Sequence, residues 1–133
     1  MPQTTAEVVR DFFASLVEGN PATELCDPAI EIRNWPDSPV PGPYRGHDGL
    51  RKWFRAVNDP DTWELQMFEL EDVVEVDDER VVTIQRATGR GRASGLEVDQ
   101  RWGSIITVRD GRISSAFGYP TPEEALAAAG VSN

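Results

Sequence analysis

The sequence predicts a single α+β domain in which helices pack on one face of a curved antiparallel sheet. Three observations carry that prediction: an opening apolar stripe with helical spacing, four successive strand-like segments divided by turn signals, and the length. At 133 residues, against domains of ~100 to 200, the chain has room for one core, so residues 1–133 are read as one domain.

Over residues 4–18, Val8, Val9, Phe12, Phe13, Leu16 and Val17 recur at i, i+4 and i+8, the stripe of an amphipathic helix. Thr4 with Glu7 forms a capping box, and Gly19 ends the helix. Asn20-Pro21 predicts a second short helix reaching Cys26, broken by Asp27-Pro28. Residues 29–35 alternate Ile30 and Ile32 with Glu31 and Arg33, a strand; the following PDSPVPGP carries four prolines and is a stiff loop. After Gly46, Leu50, Trp53, Phe54 and Val57 fall at i, i+3, i+4 and i+7, a one-sided helix to about Asn58, and DPDT turns the chain. Strands are predicted over 63–76, 80–90, 96–108 and 112–119, separated by Asp77-Asp78-Glu79, an Arg-Ala-Ser-Gly turn and the hairpin pair Asp110-Gly111. In the first of them, Trp63, Leu65 and Met67 share one parity while Phe68, Leu70, Val74 and Val76 share the other, so a bulge or bend is expected midway. Thr121, Pro122 and Glu124 start a last short helix over 123–129, closed by Gly130.

Composition narrows the partners. Hydrophobic residues make up 39%, with five Phe, four Trp and two Tyr, which supports a true core and excludes a disordered chain. Thirteen Lys and Arg against 23 Asp and Glu give a formal net charge of −10, which argues against a nucleic-acid partner and against an anionic membrane surface. The polar amino terminus and the absence of about 18 consecutive apolar residues lead to the expectation of a soluble cytoplasmic protein. Cys26 is the single cysteine and His47 the single histidine, and no Cys or His cluster has metal-ligand spacing, so neither a metal nor another cofactor is expected. Cys26 reads as a small core or helix-end residue, with a nucleophile as the alternative. Residues 59–79 hold ten carboxylates and no Lys or Arg, whereas 80–112 hold seven Arg against three acids. Either neighbouring strands pair opposite charges or an anion-attracting mouth forms.

The helix pair, the strand before the proline-rich loop, Tyr44-Arg45-Gly46-His47-Asp48-Gly49-Leu50 and the Val108 to Ile113 hairpin together resemble the SnoaL-like polyketide cyclase branch of the nuclear transport factor 2-like superfamily. The segment 91–100 and the closing stretch 119–130 also fit, so the resemblance runs from about Glu7 to Gly130. It implies a cone-shaped, strongly bent antiparallel sheet wrapped around helices with an internal pocket (a cystatin-like arrangement), often a homodimer through the outer sheet face. It also implies cofactor-independent acid–base chemistry of the cyclase, isomerase or epoxide-hydrolase kind, or a non-catalytic pocket, because fold does not fix chemistry.

Such reactions need a carboxylate or similar base in a largely apolar cavity. Where the cyclases and epoxide-hydrolase-like members place an Asp just before the position of Tyr119, this chain has Gly118. The epoxide-hydrolase Arg falls on Arg86 but its Asp falls on Thr88, and the two ketosteroid-isomerase acids fall on Trp35 and Ser104. No known catalytic set carries over intact. In this register the inward residues are Val82, Ile84, Arg86 and Thr88, then Gln100, Trp102, Ser104 and Ile106, then Ser114, Ala116 and Gly118, while Asp99 and Arg101 face outward. Phe13, Leu16, Trp35, Trp53 and Val57 would close the cavity, or serve as plain core. Arg86, the first candidate, either pairs with a carboxylate or anchors a carbonyl or anionic ligand. His47 is the second, as a neutral base at the cavity mouth or as a structural residue of the helix start. Tyr44 and Tyr119 are possible hydroxyl donors or loop fasteners.

The expected function is therefore that of a small-molecule pocket protein. His47 and Arg86 are its candidate catalytic residues, and Phe13, Trp35, Tyr44, Trp53, Gln100, Trp102, Ser104 and Tyr119 its candidate ligand contacts. The expected ligand is a small apolar or aromatic molecule bearing a carbonyl or carboxylate. The alternative is a non-catalytic ligand-binding or dimeric assembly module of the same fold.

Overall fold

In the computed structural model, which describes residues 3–59, 61 and 63–131 with the side chains of 63–66 excepted, helix α1 spans Thr5–Val17. The capping box forms: Glu7 N–H donates to Thr4 Oγ1 at 3.2 Å, and Thr4 N–H donates to Glu7 Oε1 at 3.0 Å. Val8, Val9, Phe12, Phe13 and Leu16 are buried, as the spacing predicts. The helix ends with Gly19 in the left-handed region (φ +87°), its N–H bonded to Leu16 O and that of Asn20 to Ser15 O.

The second helix shrinks to a single 3-10 turn, Thr23–Leu25. Asn20 Oδ1 accepts from Ala22 N–H at 2.9 Å, and Ala22 is left-handed (φ +55°), so the turn made by the Asn side chain replaces the expected first helical turn. Cys26 then opens strand β1, Cys26–Arg33, three residues earlier than the Ile pattern suggests. Strand β2, Tyr44–Arg45, follows the proline loop and was not foreseen; helix α2 is Gly46–Val57. Strands β3 (Trp63–Glu75), β4 (Arg80–Gly91), β5 (Glu97–Arg109) and β6 (Arg112–Tyr119) and helix α3 (Pro122–Ala128) complete the order. Of the turn expected at 59–62, Pro60 and Thr62 lie outside the described residues, as do the side chains of Trp63 and Leu65 in the parity reading of β3.

The six strands form one sheet in the order β2-β1-β6-β5-β4-β3, antiparallel throughout except for the parallel β1–β6 pair. This is an open mixed sheet, the α+β architecture that the resemblance implies, with the β1–β6 pair parallel where an antiparallel sheet is expected. A bulge is present, but beyond the parity switch between Met67 and Phe68: Leu70 pairs with Gln85 but Asp72 with Ile84, leaving Glu71 unpaired, so Val74 and Val76 pack on the outer core and not, as expected, on the face of Phe68 and Leu70. Phe68 and Leu70 before it, and Val73 after it, therefore pack on the same inner core. At the β5–β6 hairpin Asp110 and Gly111 take φ of +53° and +76°, the conformation that a two-residue turn with right-handed strand twist requires.

Two cores lie on opposite faces of the sheet. The inner one joins α1, β1 and Leu50 of α2 to Val81, Ile106, Val108 and Ile113. The outer one joins Val82 and Ile105 to Ala125 and Ala129 at α3. The helices are thus not all on one face: α3 crosses the outer side at Gly103, where an added Cβ would stand 2.6 Å from Ala125 Cβ. No helix among the described residues is long and apolar enough to cross a membrane.

Candidate functional site

Between α1, α2, the loop after β1 and the inner face of β3 to β6 lies a cavity of about 560 Å³, in the size range of small-molecule sites. One wall is a run of aromatic rings. Phe12 meets Phe13 edge-on at 5.6 Å, Phe13 stacks on Phe68 at 5.7 Å, and Phe68 tilts against Trp102 at 5.7 Å between centroids. Trp53 and Phe54 from α2, and Trp35 from the loop after β1, line it as well. A shallow surface depression of Phe54, Arg55, Ala56, Asn58 and Asp59 shares four of these five residues with the cavity, so the carboxyl end of α2 stands at its mouth.

The floor is polar and neutral. Gln85, Ser104 and Thr83 are buried at 3%, 6% and 0% exposure, with Gln85 and Ser104 lining the cavity. The amide orientation that satisfies both ends of Gln85 has Oε1 accepting from Ser104 Oγ at 3.2 Å and Nε2 donating to Thr83 O at 3.1 Å and Trp102 O at 3.3 Å. Across the floor, Asn34 Nδ2 donates to Val40 O at 2.9 Å, and Ser38 Oγ accepts from Val40 N–H at 3.1 Å, which pins the proline-rich loop over the cavity.

Six of the expected site residues line the cavity: Phe13, Trp35, Trp53, Gln100, Trp102 and Ser104. Four do not. Arg86 faces the opposite side of the sheet and forms a two-pronged pair with Asp99, Nε to Oδ1 at 2.9 Å and Nη2 to Oδ2 at 2.7 Å. Its guanidinium pKa is raised mainly by that hydrogen bond, which also holds the Asp99 carboxyl below the usual carboxylate range. The inward residues of β4 are Val81, Thr83, Gln85 and Ala87, one position off the expected set of Val82, Ile84, Arg86 and Thr88. On β6 the same shift appears at Ser114, an unpaired residue between Ile113 and Ser115, so that Ile113 points inward and Ser114 bonds Thr107 O instead.

His47 is not at the mouth. Its Nε2–H donates to Cys26 O at 3.0 Å and ties the start of α2 to the start of β1. Tyr44 packs on the inner core and Tyr119 on the outer one, neither lining the cavity. Cys26 is 1% exposed, and its thiol is pushed up to about 12 by burial and then by the Glu24 charge, the opposite of an activated nucleophile. Among the described residues no group of three or more His, Cys, Asp or Glu side chains could hold a metal.

Asn34, Asp59 and Gln85 are among the polar cavity residues that escaped the sequence reading. Gln85 was lost with the β4 parity, Asn34 lay between a strand and a loop, and Asp59 was absorbed into a turn. Asp59 is the one charged residue of the described lining, and its Oδ1 accepts from Asp61 N–H at 3.0 Å. The charge asymmetry along the chain resolves as pairing on the sheet surface and turns: Arg86–Asp99, Arg101–Glu71 at 2.6 Å, Arg90–Glu97 at 3.2 Å and Arg80–Asp77 at 2.9 Å.

Residues 7–116 match the SnoaL-like domain family, and the chain belongs to that family. Among solved structures it resembles a nuclear transport factor 2-like protein of Burkholderia xenovorans, with 26% identity over 97% of this chain and 98% of that one at a TM-score of 0.75. A nuclear transport factor 2-like protein of Burkholderia thailandensis is 23% identical over 98% and 99%, with a TM-score of 0.80. A third, from Burkholderia pseudomallei and of unknown function, is 15% identical over 94% and 96% at 0.74. No curated protein matches the chain.

Proposed function

We propose that the protein is a small-molecule binding module, holding an apolar, aromatic compound in the cone without acid–base chemistry at its floor. The observation that carries this reading is the character of the deep lining: Asn34, Ser38, Gln85, Gln100 and Ser104 are polar side chains of the described lining beyond the mouth, and all are neutral. A proton-abstracting enzyme of this fold needs a titratable group against the ligand's reacting atom. Of the described carboxylates with a displaced pKa, Asp77 and Asp99, both move down and both lie on the surface, whereas an interior acid–base carboxyl moves up. Without Arg86 the described lining also offers no cation to a carboxylate. On the outer face of β3, β4 and β5 Arg86 and Arg101 are paired with Asp99 and Glu71, and we place a homodimer contact there.

The test combines native mass spectrometry of the purified protein with titration of neutral aromatic ketones and aromatic carboxylates, read by fluorescence of the cavity tryptophans. Neutral compounds should bind and emerge unchanged. Ala116→Trp, which fills the cavity from β6, should abolish binding while circular dichroism stays native. Turnover of any bound compound, or undiminished binding in a folded Ala116→Trp variant, would overturn the reading.

A further inference from the structure

The expected ligand carried a carbonyl or carboxylate because Arg86 was expected inside. With Arg86 outside, the electrostatic character of the cavity reverses. Its described lining contains no Lys, Arg or His, and its one charged residue is Asp59. Asp59 follows directly on α2, and Ala56, Val57 and Asn58 at the end of that helix line the same mouth, so the negative end of a helix dipole and a carboxylate face one opening. Trp53, also on α2, adds an indole to the same lining.

Deeper in, the polar side chains are neutral and bonded among themselves or to the backbone. Asn34 spends its amide N–H on Val40 O, Gln85 spends its own on Thr83 O and Trp102 O, and the Ser104 hydroxyl donates to Gln85. These contacts turn amide N–H groups of Asn34 and Gln85 onto backbone carbonyls, and Gln85 Oε1 is itself taken by the Ser104 and Thr83 hydroxyls, so the deep polar groups carry no charge to meet that of a guest. Around them stand aromatic faces, Trp35, Trp102 and Phe68 among them, whose quadrupoles attract positive charge. The formal net charge of −10 adds a long-range field that gathers cations at the surface.

We infer that the cavity takes a hydrophobic organic cation, an alkyl- or arylammonium whose charged head sits at the Asp59 and Trp53 mouth and whose apolar body lies against Phe68 and Trp102. This rests on the binding reading above and names the ligand's charge class. Cation–π contact and the mouth carboxylate offset the cost of dehydrating a quaternary head, which is weakly hydrated to begin with. An anion would meet the Asp59 carboxylate and no cation among the described lining residues.

Three probes of one outline separate the cases: phenyltrimethylammonium, tert-butylbenzene and benzenesulfonate, titrated by tryptophan fluorescence with calorimetric confirmation. The ammonium should bind about tenfold tighter than the hydrocarbon, and the sulfonate should not bind. Asp59→Asn should cut that ratio to about twofold. Asn58→Lys, at an exposed position beside the mouth, should do the same by repulsion and serves as the second variant if Asp59→Asn folds poorly. Hydrocarbon binding equal to or stronger than that of the ammonium, binding of the sulfonate, or an unchanged ratio in both variants would overturn the inference and leave the pocket reading standing. If none of the three binds, the pocket reading falls with it.

Discussion

A Cβ built on Gly118 would overlap Asn34 Oδ1, so these two residues share one space at the cavity edge. The superfamily's cyclases put an Asp at this point of the last strand; here a neutral carboxamide from the end of β1 fills the gap, anchored through Val40 O. Gly118→Ala should therefore cost ~1–3 kcal/mol in urea unfolding, as overpacking of a closed site does. Asn34→Ala removes the obstructing amide, and the double variant should recover most of that loss, a coupling that a double-mutant cycle measures. Additive effects would show that the carboxamide does not hold that space. Gly118→Asp should be worse than Gly118→Ala, because the carboxylate would enter beside fixed oxygens with no cation among the described lining residues. Nothing in the local sequence announces this arrangement. The glycine was visible as a missing acid, but its occupant lies 84 positions earlier in the chain and depends on β1 and β6 running side by side in parallel.

At the scale of elements, the turns and stripes were legible because they rest on local chemistry: the Thr4–Glu7 box and the Asp110-Gly111 hairpin both act within a few residues. The inner face of β4 was not. Its opening Val81-Val82-Thr83-Ile84 is apolar on both parities because α1 covers one side and α3 the other, leaving Val81 and Val82 both fully buried. With alternation erased, the outward Arg86 was taken for an inward one, and the error carried the candidate catalytic centre with it. The β3 bulge gives this register a test. Glu71→Ala removes only an exposed-side ion pair with Arg101 and should change stability by ~0–1 kcal/mol. Deleting residue 71 forces either Phe68 and Leu70 or Val73 off the inner core, and should lower stability by several kcal/mol or abolish folding. A deletion variant with near-native unfolding would mean that the extra residue does not set the register.

For the whole molecule, two charge effects compete as pH falls. Excess negative charge repels itself, and protonating carboxylates relieves it, so stability should hold or rise slightly from pH 8 to about pH 5. Asp77 and Asp99 work the other way. Asp77 is held below its usual range by the Glu79 N–H first and the Arg80 side chain next, and Asp99 by Arg86. A carboxyl whose pKa is depressed in the folded state contributes fully above its unfolded value of ~3.9 and loses that contribution as pH falls through the folded value, because the unfolded chain binds the proton first. The raised pKa values of Arg86 and Arg101 have the opposite sign, with their contribution lost only above the ordinary arginine range, so they leave neutral pH untouched. Thermal unfolding followed by circular dichroism should then show a plateau above about pH 5 and a fall below about pH 4. In Asp77→Asn with Asp99→Asn the plateau should sit lower and the acid limb should be shallower, since those two protons no longer have to be taken up. An acid limb of unchanged steepness in the double variant would place the acid-sensitive carboxylates elsewhere in the chain.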